Sequence, residues 1–131
     1  MPAPTQATYS LEAKIAANTA LRDLIDAQAG NGKLHLMNEE DSIMATFELT
    51  KPCGTVNATT GKLVITTTTG LAVVEYGGYE ATHADLVDSN GDAHLTLPAQ
   101  EGSEPVAGKV VLDLVFLEHG GTVEIGSIEI G

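Results

Sequence analysis

Hydrophobic residues follow a helical spacing in one segment near the start of the chain. Between Ser10 and Ala29 an approximate apolar stripe is formed by Leu11, Ile15, Leu21, Leu24 and Ile25. Ser10 stands where an N-cap is expected, and Gly30 stands where a left-handed residue commonly follows a helix. The pattern therefore predicts a helix over residues 10–29, followed by a turn at Asn31-Gly32.

From Lys33 onward the spacing changes to alternation, which is typical of β-strands. One face of a long alternating run consists of Ile43, Ala45, Phe47 and Leu49. Further alternating or β-branched runs, separated by turn signals, lie at 63–69, 71–76, 79–87, 93–97, 109–118 and 122–130. About eight strands after one N-terminal helix predict a mainly β fold, an antiparallel β-sandwich or jelly roll over residues 33–131.

No change of composition divides the region after the first residues, so residues 10–131 are predicted to form one domain. Residues 1–9, with Pro2 and Pro4 among small polar residues, are predicted to be a flexible arm. Such an arm either stays disordered or becomes ordered on a partner. The loop at 99–107 is either a connection between strands or a contact for a partner, and its candidate contact residues are Glu101 and Pro105.

The run from Lys109 to Glu118 is apolar on both faces of its predicted strand. One face consists of Val110, Leu112, Leu114 and Phe116. The other consists of Val111, Val115 and Leu117, interrupted by Asp113. Such a strand is either covered on both sides within the domain or has one face in a subunit interface. Both interpretations stay open, and the second makes Val111, Val115 and Leu117 interface candidates.

One loop, Asp88-Ser89-Asn90-Gly91-Asp92, has the appearance of a metal site. Its oxygen-bearing side chains alternate as at the start of an EF-hand, but the twelfth position holds Ala99 rather than Glu, and the flanks alternate like strands. Asn-Gly between alternating runs instead predicts a two-residue hairpin turn at Asn90-Gly91. That turn pairs Val87 with His94 and gathers on one face Ala84, Leu86, Leu95 and Leu97. We therefore predict a turn and no metal site.

The other reactive side chains form no recognisable catalytic or metal-binding pattern. His83, Asp85 and His94 share the outer face of that hairpin, but the two histidines are not cross-strand neighbours, and alternation alone explains a polar face. Cys53 lies in a Pro-Cys-Gly turn and is interpreted as a structural thiol. No nucleophile elbow, phosphate loop or dinucleotide fingerprint occurs. The sequence predicts no catalytic residue, no cofactor and no enzyme activity.

The charge balance changes the range of expected partners. The chain has 18 Asp and Glu against 6 Lys and Arg, a formal net charge of −12. Without a basic stripe, nucleic acid and anionic membrane surfaces are disfavoured as partners, and a basic partner is favoured. The single cysteine precludes an intrachain disulfide, and no run approaches the ~18 apolar residues of a spanning helix. No signal-peptide pattern opens the chain, so the protein is expected to be made in the cytoplasm.

Four stretches, in this order, resemble a family of small virion proteins from tailed bacteriophages. The first, "ALRDLIDAQAGNGKLHLMN", is similar to the family's opening helix, Gly-rich turn and first strand, and "ATFELTKPCGTVNATTGKLVIT" is similar to its next hairpin. The third stretch, "ATHADLVDSNGDAHLTL", resembles the family's hairpin with a Val-Asp-Ser-Asp/Asn-Gly turn. The fourth, "VAGKVVLDLVFLEHGGTVEIGSIEI", resembles the family's closing strands. The resemblance covers most of residues 20–130. It departs from the family at His83, Ala84 and Asp85, where relatives carry a bulky aromatic pair.

The resemblance implies a virion structural protein that decorates or cements the outside of a capsid by binding the major capsid protein. It also implies a homo-oligomer, such as a trimer, and it supplies no catalytic residues. Contacts with partners are then expected from Pro2, Pro4, Glu101, Pro105, Val111, Val115 and Leu117. Two alternatives stay open: a tail, collar or fibre component, and a carbohydrate- or cell-surface-binding module with Tyr76 and Tyr79 as its aromatic platform.

Overall fold

Residues 9–131 are described by the structure, a computed structural model of the chain. Within them lie one helix and eleven strands, so the prediction of a mainly β fold with one helix is confirmed. The elements are α1 (Leu11–Ile25), β1 (Lys33–Met37), β2 (Ile43–Val56), β3 (Leu63–Thr67), β4 (Leu71–Val73), β5 (Tyr79–Glu80), β6 (His83–Val87), β7 (Ala93–Glu101), β8 (Val110–Leu112), β9 (Phe116–Leu117), β10 (Thr122–Glu124) and β11 (Ile128–Ile130).

The helix begins where the sequence predicts and ends earlier, at Ile25 rather than at residue 29. At its start the Ser10 hydroxyl accepts a hydrogen bond from the Ala13 N–H (3.1 Å), as an N-cap does. At its end the Asp26 carboxylate accepts a hydrogen bond from the Cys53 N–H (3.0 Å). The Lys51 ammonium donates to backbone carbonyls beyond the helix end. These contacts with β2 draw residues 26–30 out of the helix, and local spacing cannot show them.

Seven strands form the main sheet, in the order β11-β3-β2-β1-β6-β7-β8. All neighbours are antiparallel except β7 and β8, which are parallel. The two edges of this sheet approach each other, because the Gly108 N–H, two residues before β8, donates to the Glu129 carbonyl of β11 (2.7 Å). Leu112 of β8 also forms a bridge with Ile125, which lies outside the seven strands. The sheet therefore nearly closes on itself, and a sandwich or jelly roll is not confirmed.

The core is built from aliphatic side chains on the inner face of this sheet. Its largest fully buried members are Ile25, Leu34, Leu36, Met44, Phe47, Leu49, Leu63, Ile65, Leu86, Leu112, Leu117 and Ile128. Leu34 and Leu36 alternate with half-buried neighbours along β1, as predicted. The helix is fastened to this sheet by Asn18, whose buried amide donates to the carbonyls of Gly61 (2.7 Å) and Ile130 (3.1 Å). This polar contact supplements a narrow apolar contact, because Leu11 and Leu24 of the predicted stripe are exposed.

The β6–β7 hairpin has the predicted register in its body but not at its turn. Leu86 pairs with Leu95 and Ala84 with Leu97, whereas Val87 pairs with Ala93 rather than His94. The turn centres on Ser89-Asn90, since the Gly91 N–H donates to the Asp88 carbonyl (3.0 Å) and Gly91 has a left-handed φ of 89°. This is a type I turn followed by a bulge, which adds one residue to the predicted loop.

The β1–β2 hairpin uses the same turn. The Asn38 side-chain oxygen accepts hydrogen bonds from the N–H groups of Glu40 and Ser42, both at 3.0 Å. In the same way, the Asp88 carboxylate accepts hydrogen bonds from the N–H groups two and four residues later. The left-handed position is occupied by Asp41, with a φ of 61°. A side-chain acceptor at the first turn position thus fixes both hairpins.

The prediction of one continuous strand over residues 109–118 is wrong. The chain leaves the sheet at Asp113, so β8 ends at Leu112 and a separate strand, β9, begins at Phe116. The Asp113 carboxylate accepts hydrogen bonds from the N–H groups of Leu114 (2.9 Å) and Glu124 (3.0 Å), which stabilises the bend. Because the two halves belong to different sheets, the run does not have two faces of one strand.

We expect Gly91→Ala to lower the free energy of unfolding by about 1 kcal/mol, because an L-residue is disfavoured in the left-handed region. A methyl group at this position meets no atom within 4 Å, so the cost is that of the backbone alone. Gly126→Ala is the matched control, since its methyl group also meets nothing within 4 Å and its φ is not left-handed. Urea unfolding of both variants checks this, and equal stabilities would contradict the assigned turn.

Candidate functional site

Two segments that form no part of the main sheet, residues 71–81 and 113–125, run antiparallel to each other, and we call them the ribbon. At one end β4 pairs with β10, so that Val73 lies opposite Thr122. At the other end β5 pairs with β9, so that Tyr79 lies opposite Leu117. Between these pairs the Gly120 N–H donates to the carbonyl of Val74 (2.9 Å), which keeps the segments together.

The inner face of the ribbon packs on the core. Its buried side chains are Val74, Ala81, Leu117, Val123 and Ile125. The Met44 carbonyl of β2 accepts a hydrogen bond from the Glu75 N–H (2.8 Å), which ties the ribbon to the sheet. At Gly77 the two segments come so close that a side-chain carbon would lie 2.1 Å from the backbone nitrogen of His119. The ribbon is therefore a fixed part of the domain, and only glycine fits at its crossing.

The ribbon carries most of the exposed apolar side chains, and we call its exposed surface the outer face. Eleven large apolar side chains are exposed in residues 9–131, and six of them belong to the ribbon: Leu71, Val73, Tyr76, Tyr79, Leu114 and Phe116. Val73, at the β4–β10 end, exposes 59% of its surface, and Phe116, at the β5–β9 end, exposes 55%. Isolated exposed apolar residues are common, but their concentration on one ordered element indicates an interaction surface.

The ribbon also carries negative charge only. Its exposed acidic residues are Glu75, Glu80, Asp113, Glu118 and Glu124. None of the chain's six Lys and Arg residues falls within either segment. The face is therefore an apolar strip with an acidic rim, which is complementary to an apolar surface with a basic rim.

An aromatic pair and a shallow cleft lie at one end of the ribbon. The rings of Tyr76 and Tyr79 stack with their centroids 5.2 Å apart, and both remain partly exposed. The cleft beside them has a volume of about 190 Å³ and is lined by Asn38, Glu39, Glu40, Tyr79, Glu80 and Thr82. This end of the ribbon thus combines an aromatic surface with three carboxylates, those of Glu80 in β5 and of Glu39 and Glu40 in the β1–β2 turn.

Of the predicted contact residues, Glu101, Pro105 and Val111 lie near the seam where the sheet nearly closes, whereas Val115 and Leu117 belong to the ribbon. Pro105 and Val111 line a cleft of about 330 Å³ there, and Glu101 lies nearby, its carboxylate accepting a weak hydrogen bond from the Val115 N–H (3.4 Å). Val115 is half-buried. Leu117 exposes only 2% of its surface and is a core residue, so it presents no surface to a partner. Pro2 and Pro4 lie outside the described residues.

The carboxylate of Asp88 is fully occupied by its own hairpin. One oxygen accepts hydrogen bonds from the N–H groups of Asn90 (2.9 Å) and Asp92 (3.1 Å), and the other lies 2.9 Å from Nε2 of His94. The hydrogen bond with His94 is the main cause that lowers the pKa of Asp88, and the two N–H groups add to it against the opposing effect of burial. The geometry is that of a capped turn, in which the charge of Asp88 is used internally.

The remaining titratable side chains are dispersed over the fold. His83 pairs with Asp41 (2.8 Å) on the neighbouring hairpin rather than with His94. Burial lowers the pKa of His35, and the positive charge of Lys33 adds to this shift. Over residues 9–131, no three side chains among His, Cys, Asp and Glu are arranged to hold a metal ion. The described helix also lacks the length and apolar character needed to cross a membrane.

Comparisons with known proteins add no relative. No family model, no curated protein and no solved structure matches this chain.

We expect the Cys53 thiol of the folded protein to resist thiol reagents at pH 8. Burial raises its pKa to about 12, and the carboxylate of Asp26 adds to the shift, so little of the reactive thiolate forms. Reaction with a chromogenic disulfide should be slow in buffer and complete within minutes in guanidinium chloride. Equally fast reaction under both conditions would contradict the burial of this thiol.

We expect Asp88→Asn to lower the thermal stability at pH 7 but not at low pH. Because the pKa of Asp88 is lower in the folded than in the unfolded chain, its stabilisation is present above the ordinary aspartate pKa of about 3.9. The stabilisation is lost as the pH falls through the folded pKa. Melting temperatures of both proteins between pH 7 and pH 2 should converge at the acidic end, with Asp92→Asn as the control from the same loop. A constant difference would show that the charge is not responsible.

Proposed function

We propose that this protein is a structural component of a tailed-phage virion that binds the major capsid protein on the outside of the shell. The resemblance of its hairpins and closing strands to small virion proteins supplies the type of particle. The ribbon supplies a means of binding, because it offers apolar surface on an element that needs no reordering. Decoration of a shell requires adhesion rather than chemistry, and this geometry suits adhesion.

The observation that carries this proposal is that six of the eleven exposed large apolar side chains in residues 9–131 belong to the ribbon. A specific protein interface buries at least about 1,000 Å² in total. Side chains such as Phe116, Tyr76 and Tyr79 are of the types that contribute most to binding when a partner covers them. Since their backbone is fixed by the sheet, binding costs little conformational entropy.

The net charge of −12 supports a position on the exterior of the particle. Packaged DNA repels an acidic protein, whereas the outer side of the shell places it away from that charge. Self-association, such as a trimer at a symmetry axis, is part of the proposal, and light scattering measures it directly.

A position in the tail, collar or fibre is the alternative assignment within the virion. Gold-labelled antibody against the protein, applied to intact particles, separates the two positions. Labelling over the whole head supports decoration of the shell. Labelling confined to the tail would contradict it.

We expect Leu114→Gln/Phe116→Gln to weaken binding to shells of its own phage's capsid protein by at least about tenfold, which corresponds to 1.4 kcal/mol. The matched control is Leu11→Gln/Leu24→Gln, which also replaces two exposed large apolar side chains with glutamine, but on the helix. Cosedimentation with assembled shells measures both affinities.

Neither pair of substitutions lies in the core, so circular dichroism should show folded protein in each case. Failure of the unaltered protein to sediment with shells would exclude the proposed function. Equal weakening by both double variants would remove the ribbon from it.

A further inference from the structure

We propose that the outer face of the ribbon binds a protein surface that presents apolar side chains together with arginine or lysine, the cation resting at the Tyr76–Tyr79 end. The identity of the partner rests on the proposed function, whereas the chemistry of the contact rests on the ribbon itself. Three features support this contact independently: the negative charge of the ribbon, its aromatic pair, and the repulsion expected between two ribbons.

The acidic residues of the ribbon have no cation of their own. Four ion pairs join residues within 9–131, and none of them includes a residue of the ribbon. Five exposed carboxylates of the ribbon consequently lack a Lys or Arg partner. A neutral apolar partner would remove water from part of this rim and form no ion pair that offsets the cost. A partner with a basic rim gains Coulomb energy there. The charge pattern therefore selects a basic partner.

The aromatic pair and its cleft give the cation a defined place. Glu39, Glu40 and Glu80 border the cleft, and their carboxylates accept no hydrogen bond from any residue that the structure describes. The interaction with Tyr79 raises the pKa of Tyr76, and the charge of Glu40 makes the smallest contribution in the same direction. A guanidinium group can stack on an exposed tyrosine face while it donates to adjacent carboxylates.

Two ribbons do not fit against each other. In a two-fold interface the same patch meets itself, so the five carboxylates of one ribbon would approach the five of the other. Like charges that face each other across an interface disfavour it. A different protein with a basic rim avoids this repulsion, so the ribbon favours such a partner over a second ribbon. A trimer joins two different patches and is not subject to this repulsion.

The test uses ¹⁵N-labelled full-length protein titrated with N-acetyl-arginine amide, followed by NMR. We expect saturable shifts of the Tyr79, Glu80 and Asn38 amides with a dissociation constant of the order of 10 mM, as for a single weak contact. N-acetyl-citrulline amide has the same shape without the charge, and should shift these amides at least about threefold more weakly.

Two double variants separate local from overall charge. Glu40→Gln/Glu80→Gln should abolish the preference for arginine over citrulline. Glu12→Gln/Glu104→Gln makes the same change in net charge at exposed positions outside the ribbon and the cleft, and should preserve the preference. Equal shifts with arginine and citrulline, no shifts at either ligand's solubility limit, or loss of the preference in both variants would overturn the inference.

The same variants distinguish this inference from the proposed function. If the protein binds capsid shells but shows no preference for arginine, the inference is wrong and the proposed function stands. If the preference is present but shells are not bound, the inference stands and the capsid assignment is wrong. Sedimentation equilibrium of Leu114→Gln/Phe116→Gln adds a further check, because dissociation of an oligomer by this change would show that a second copy covers the ribbon.

Discussion

The near closure of the seven-stranded sheet is the constraint on which the rest of the structure depends. Every open sheet has two edges whose backbone groups need partners. Here the edges are brought together by the hydrogen bond between Gly108 and Glu129, and the Leu112–Ile125 bridge joins β8 to the ribbon. Buried aliphatic side chains fill the space that results. The residues between Leu112 and Ile125 belong to none of the seven strands. The chain therefore leaves the sheet at Asp113 and returns as one half of the ribbon, whose outer face has no cover within the described part of the chain.

The sequence predicts those features that are determined within a few residues. The Ser10 cap, the alternation along β1 and the body of the β6–β7 hairpin are all local patterns, and the structure confirms them. The two matching turns are local as well, but only one contains the Asn-Gly signal. The turn at Asn38 places Asp41 in the left-handed position, so its resemblance to the turn at Asp88 becomes visible only from backbone geometry.

The features that the sequence does not predict depend on long-range contacts. The helix ends early because Asp26 bonds to Cys53 of β2, and the run over residues 109–118 divides because Asp113 bonds to Glu124. Of the exposed apolar residues of the ribbon, the sequence singles out only Tyr76 and Tyr79, because the pairing of its two segments is a long-range contact. Alternation identifies Leu71 and Val73 as sharing a face, but the sequence does not say that both are exposed or that this segment pairs with residues 122–124. The paired glycines at 77 and 78 are the one local signal of the close crossing.

The fixed ribbon and its acidic rim together account for a protein that works by adhesion. Hydrogen–deuterium exchange of the protein alone and bound to capsid shells tests this account most directly, because it reports every backbone segment at once. The account predicts slower exchange in residues 71–81 and 113–125, with little change in the helix Leu11–Ile25. Protection of the helix or of the seam at 101–105, with unchanged exchange in the ribbon, would contradict it.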